Sequence, residues 1–182
     1  MDEAGPIFIL AQLLNLAETS SATDGLVFKI LLLLVLILVN AFFAMSEIAL
    51  ISLNDAKLEK QADEGNKKAK QVLKLTKNPS KFLSTIQIGV TLAGFLASAS
   101  AATTLAEMLT AVVVNSTGVS EKIISPIAVV LVTIIMSYFT LVFGELAPKR
   151  IGMQASEKVA FAVVKPLLVI SKITAPFVKF LS

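Results

Sequence analysis

Residues 26–53 read LVFKILLLLVLILVNAFFAMSEIALISL, and this stretch decides the fold. Between Lys29 and Glu47 it carries no charge. A helix crosses a hydrocarbon core of about 30 Å with roughly 20 apolar residues, so this segment spans a bilayer with tilt or overhang. The rest of the chain has the same character: 55% of its 182 residues are hydrophobic, and its mean hydropathy is +0.83. A soluble domain of this length has too little interior to hide that much apolar surface. The expected fold is an all-α membrane protein.

Two further spans are expected at residues 81–102 and 123–146. The linker at residues 54–80 turns abruptly polar, with Lys57, Lys60, Lys67, Lys68, Lys70, Lys74 and Lys77. Leu58, Ala62, Ala69, Leu73 and Thr76 recur in it at helical spacing, and Gly65-Asn66 punctuates two short amphipathic helices. Asn78-Pro79-Ser80 reads as a stop followed by a cap. Thr103–Val119, with Glu107 and the turn-like Asn115–Gly118, is expected to be a short helix and a loop. Pro148-Lys149-Arg150 ends the third span.

The tail, residues 151–182, is apolar enough to suggest a fourth span, but its lysines argue otherwise. Lys158, Lys165, Lys172 and Lys179 stand seven apart and form one stripe on a helix. A lysine deep in hydrocarbon costs about 2.5–3.5 kcal/mol on insertion scales, whereas in an interfacial helix all four reach headgroups. The tail is therefore expected to form juxtamembrane belt helices, bent at Pro166 and Pro176. Lysines crowd the linker and the tail, while the N-terminal segment and the loop before the third span are almost free of them. By the positive-inside rule the N-terminus lies outside the cell membrane and the C-terminus in the cytosol. Residues 1–25 lack the basic start of a signal peptide, and Pro6–Ala17, too short to span, is expected on the outer membrane surface.

Each span carries one polar face. Asn40 and Glu47 share a face of the first, with Ser46 beside them. Ser84, Gln87, Thr91, Gly94 and Ser98 draw a 3,4,3,4 stripe on the second. Thr133, Ser137, Thr140 and Gly144 repeat it on the third, followed by Glu145. Such stripes serve either as close-packing seams or as walls of a hydrated cavity, and serine or threonine hydroxyls also bond back to their own helix. Asn40 could equally bridge two helices. Glu47 and Glu145 demand more, because a carboxylate at membrane depth wants a cation, a proton or a lysine; Lys149, one turn past Glu145, is a candidate partner. Pro148 has no N–H for the carbonyl of Gly144 four residues back, which leaves an oxygen suited to a hard cation if it faces protein or water.

The chain has no Cys, His or Trp. It can form no disulfide, and it is a poor binder of zinc, copper or nickel. A metal it handles is a hard cation held by oxygens, such as Mg²⁺ or Na⁺. No glycine-rich phosphate loop, nucleophile triad or basic–aromatic interleaving occurs, so neither an enzyme nor a nucleic-acid binder is expected.

Asn40-Ala41-Phe42-Phe43-Ala44-Met45-Ser46-Glu47 resembles the first-helix motif of the CNNM/CorC transporter family. Ala62-Asp63-Glu64-Gly65-Asn66, Gln87-Ile88-Gly89 and Gly144-Glu145-Leu146-Ala147-Pro148-Lys149-Arg150 resemble elements of its bacterial members, in the same order. The resemblance runs from about residue 26 to the end, and its last motif is the most specific. It implies a homodimer with three spans and a belt in each subunit, followed in the complete protein by paired CBS domains and a small C-terminal domain. Those modules have no counterpart here, so this sequence is expected to be the membrane part of a longer protein. The implied activity is Mg²⁺ export coupled to Na⁺ entry, with cation contacts at Ser46, Gln87, Thr91, Gly144 and Glu145. Where the family's magnesium transporters carry asparagines in the second span, this chain reads Ile88-Gly89-Val90-Thr91-Leu92-Ala93-Gly94. A related bacterial branch is associated with polyamine export. A reading of another class is a non-transporting anchor that dimerises cytosolic domains.

Overall fold

The computed structural model describes the backbone of residues 6–181 and the side chains of residues 25–80 and 82–174. Among these residues every regular element is helical. In order they are α1 (Pro6–Ile51), α2 (Asp55–Asp63), α3 (Lys67–Thr76), α4 (Pro79–Thr117), α5 (Glu121–Leu141), a π-helical turn (Val142–Leu146), α6 (Ala147–Gln154) and α7 (Ser156–Leu181). Three stretches are long and apolar enough to cross a membrane: Gly25–Ile51, Phe82–Thr117 and Glu121–Gln154. Much of their apolar surface faces outward; Phe28, Leu38, Phe95 and Ile134 are all more than 60% exposed. In water a contiguous surface of this kind would aggregate, whereas lipid accepts it.

The spans run longer than their apolar cores suggest. α1 continues without a break to Pro6, so the residues expected to form a separate surface segment belong to the first helix. α4 likewise absorbs the whole of the expected short helix and loop, ending only where Gly118 takes a left-handed φ of 69° and donates its N–H to Val114. Alanines and threonines at 97–110 carry helix through the mixed region, since neither glycine nor proline interrupts it. The third apolar stretch reaches Gln154 through the π turn and α6, past the expected end at Leu146.

Small residues let the spans meet closely. Along α4 the buried seam is Ala93, Ala97, Ala101 and Ala106, against Leu33 of α1 and Ala128 and Val132 of α5. A Cβ on Gly89 would come within 2.4 Å of the Phe43 ring, and one on Gly152 within 2.6 Å of the Met45 carbonyl oxygen. Glycine at these positions brings α4 and α6 onto α1.

The polar linker folds as its punctuation predicts. Asn54 caps α2 through Lys57 N (2.9 Å), Gly65 turns the chain at φ 95°, and Asn66 caps α3 through Lys68 N (3.0 Å). The apolar faces of α2 and α3, with Leu58, Ala62, Ala69, Val72 and Leu75, share one core with Phe43, Leu50, Phe82 and Ile86 of the spans. Leu73 and Thr76, expected on that face, are only half-buried, while Val72 and Leu75 are buried in their place. Ala160, Val163, Val164 and Leu167 of α7 close the same core from the other side. Lys158, Lys165 and Lys172 stand exposed on α7; the side chain of Lys179 lies outside the described residues. Pro166 is accommodated on the exposed side of α7 without interrupting the helix, and the expected bend at Pro176 concerns a side chain outside those described.

Candidate functional site

A cavity of about 420 Å³ opens between α1, α4 and α5. Its polar lining is Asn40, Thr91, Ser98, Ser137, Thr140 and Glu145, with Gly94 between them and Val90, Phe95 and Leu141 as apolar wall. Part of each expected polar face thus meets in one place. The seam and the stripe of α4 are separate: alanines pack against the neighbouring spans, and the hydroxyls of Thr91 and Ser98 line the cavity.

Glu145 reaches the cavity because the helix is wound differently there. Pro148 cannot donate to Gly144, and its ring crowds a regular turn. The chain answers with the π turn over Val142–Leu146, in which Ala147 N–H donates to Val142 O, five residues back. Such turns are rare and recur at functional sites.

The carbonyl of Gly144 does not remain free, as the sequence suggested. Asn40 Nδ2 donates to it at 3.1 Å, replacing the N–H that Pro148 lacks with an amide from α1. Gly144 is buried, and a Cβ there would sit 2.8 Å from Asn40 Nδ2, so glycine makes the contact possible. Asn40 therefore does bridge two helices. Its other end is unspent: Asn40 is 3% exposed, and its Oδ1 accepts no hydrogen bond among the described residues. An unpaired buried amide oxygen is costly, and this residue borders the cavity.

At the edge of the cavity Glu145 meets the expected partner, Lys149 Nζ, at 2.8 Å. Glu47, from α1, lies 3.4 Å from the same ammonium. Two carboxylates share one lysine, leaving a net negative charge half-open to solvent.

Other expected contacts are elsewhere. Ser46 is fully buried, does not line the cavity, and donates its proton to Phe42 O of its own helix at 2.6 Å. Gln87 and Ser84 continue the α4 stripe away from the cavity and are exposed, and Thr133 does not line it. Reading from sequence named Asn40 as a helix bridge and Gly144 as a freed carbonyl without joining the two, and it missed the π turn. The signal for that turn was Pro148 four residues after a glycine.

Fold and cavity together define a helical membrane protein with three candidate spans and, where they meet, a mainly apolar pocket that carries several hydroxyl-bearing residues, an amide and one carboxylate. The chain belongs to the CNNM family: the family model described as the Cyclin M transmembrane N-terminal domain matches residues 31–182. It is 37% identical over 153 residues to UPF0053 protein sll0260 of Synechocystis, covering 84% of this chain and 34% of the relative. It is 35% identical over 170 residues to a protein of Escherichia coli K12 named Polyamine export protein, again covering 84% and 34%. UPF0053 protein YugS of Bacillus subtilis is 30% identical over 161 residues, covering 86% of this chain and 36% of the relative. The chain thus spans about a third of the length of the curated relatives it matches.

Proposed function

We propose that this chain is the conducting membrane domain of a cation exporter that moves Mg²⁺ outward in exchange for entering Na⁺. The observation that carries this reading is a single cavity lined by Glu145, Thr91, Ser98, Ser137, Thr140 and Asn40, whose buried amide oxygen has no hydrogen-bond partner among the described residues. Mg²⁺ gives up water reluctantly, so a wall of hydroxyls and one carboxylate suits a largely hydrated ion better than a cage of carboxylates would. Lys149 holds the charge of Glu145 and Glu47 while the cavity is empty, and an arriving divalent ion competes with it. In this reading Gln87, one turn from Thr91 on the same face of α4 but outside the cavity, meets the ion on entry.

Export against an inside-negative potential costs about 4.6 kcal/mol per 100 mV for a divalent ion, and each entering Na⁺ returns about 2.3. Two Na⁺ cancel the electrical part, leaving their chemical gradient to drive the cycle. In this reading the lysine-rich α2, α3 and α7 face the cytosol of a plasma-membrane protein, α7 lies along the inner surface as a belt, and two copies assemble below paired CBS domains of the full-length protein.

A second reading, polyamine export, is favoured by the name of the Escherichia coli relative and by the wall of Val90, Phe95 and Leu141. Methylene groups suit that wall, and ammonium groups suit Glu145 and Glu47. Proteoliposomes of the full-length protein, loaded with Mg²⁺ or putrescine and given an opposing Na⁺ gradient, separate the two. The expected result is Na⁺-dependent Mg²⁺ efflux, abolished by Glu145→Gln. Putrescine efflux alone selects the second reading. Movement of neither leaves a membrane anchor and overturns both.

A further inference from the structure

Near the turn at Gly118, between the end of α4 and the start of α5, lies a second polar hollow of about 280 Å³. It is lined by Glu107, Thr110, Asn115, Glu121 and Ser125, with Ala111 and Val114. Along α5, Ser125 and Ser137 of the main cavity are about 18 Å apart, so the two hollows share no wall. The stretch Phe82–Thr117 has 36 residues, about 54 Å of helix against a hydrocarbon core of about 30 Å. The end that carries Glu107 and Asn115 can therefore stand at or beyond headgroup level, open to ions in water.

All the polar groups lining this hollow offer oxygen. Among the described residues neither Glu107 nor Glu121 has an ion-pair or hydrogen-bond partner, although Lys122 adjoins Glu121 in sequence. Thr110 supplies an independent observation. It is 6% exposed, and its Oγ1 is buried without a hydrogen bond. Elsewhere on the same helix Thr103, Ser116 and Thr117 turn their hydroxyls back onto carbonyls of the preceding turn. That bond is available to any helical threonine; on α4 it is made neither at Thr110 nor at Thr104, and of these two only Thr110 lines the hollow. Two unpaired carboxylates, an amide, a serine hydroxyl and an orphaned buried hydroxyl form the donor set of a hard cation.

We infer that Glu107, Thr110, Asn115, Glu121 and Ser125 form a second divalent-cation site, for Ca²⁺ or Mg²⁺, at the end of the molecule opposite the lysine-rich linker. It does not depend on transport through the main cavity. Binding ties the end of α4 to the start of α5 across the Gly118 turn.

The test uses the full chain in nanodiscs with Mn²⁺ alone as the probe, its free fraction read by electron paramagnetic resonance. Glu47→Gln/Glu145→Gln serves as background, so that binding at the main cavity is removed. Mn²⁺ is expected to bind with an affinity on the order of 0.1–1 mM, as in weak extracellular oxygen sites. Adding Glu107→Gln/Glu121→Gln should weaken it on the order of tenfold or more, because affinity follows the charge of the ligands. Thr110→Val, which keeps both carboxylates and the side-chain shape, should weaken it by a smaller factor. No binding in the background protein, or equal binding with and without Glu107 and Glu121, overturns the site whatever the flux assay gives. Loss of Na⁺-driven flux in Glu145→Gln with this Mn²⁺ site intact leaves it standing.

Discussion

Asn40 spends the two ends of one amide on different tasks. Its N–H supports the Gly144 carbonyl that Pro148 leaves without a helical donor, and its buried oxygen has no partner among the described residues. Asn40→Leu should therefore leave a buried carbonyl without a partner, at about 1–3 kcal/mol, seen as a lower unfolding temperature in detergent. Pro148→Ala restores a backbone N–H at the right position. In the Asn40→Leu background it should recover part of the loss, whereas in the wild type it should bring little gain. A strictly additive double mutant would mean that the amide and the proline do not act on the same carbonyl. At this scale the residues of the cavity were half legible. Thr91, Ser137, Thr140 and Glu145 followed from spacing, because one face of a helix is a one-dimensional property. Ser46 did not, because whether a hydroxyl faces a neighbour or its own backbone depends on a rotamer.

Between elements, the contact most open to perturbation joins α2 to the start of α7. Glu157 accepts from Gln61 Nε2 at 2.6 Å and pairs with Lys57. The Gln61 hydrogen bond first, and Lys57 beside it, hold the Glu157 carboxyl below its ordinary value of 4.5. A lowered carboxyl pKa adds stability that is fully present above the unfolded-state value and is lost as pH falls through the folded one. The α2–α7 contact should thus loosen only in acid, below about pH 4.5. Hydrogen exchange at the amides of α2 should rise on that side. In Glu157→Gln the acid-dependent rise should vanish. The linker helices themselves were readable from Asn54, Gly65 and Asn66, since caps and left-handed turns are local chemistry. The extent of α4 was not, because no local signal separates a mixed-polarity helix from a helix followed by a loop.

For the whole molecule, the distribution of lysines makes a claim that the absence of cysteine renders easy to test. In this cysteine-free chain, Lys60→Cys and Ser116→Cys report opposite ends of the spans. Under the proposed orientation an impermeant maleimide applied to intact cells should label the second and reach the first only after lysis; the reverse pattern would invert the molecule. By itself the sequence determined that the chain lives in a membrane, that three helices can cross it, and that each has one polar face. Hydrophobicity and helical period are sums over neighbours along the chain, and they need no partner. Only the tertiary structure decided which parts of those faces meet, that Asn40 from one span completes the backbone of another 104 residues away, and that Glu47 and Glu145 share a lysine. Those contacts depend on how far each helix turns and slides against the next. Small residues such as Gly89, Gly144 and Gly152 set that packing, and their effect is felt only once the neighbouring helix is in place.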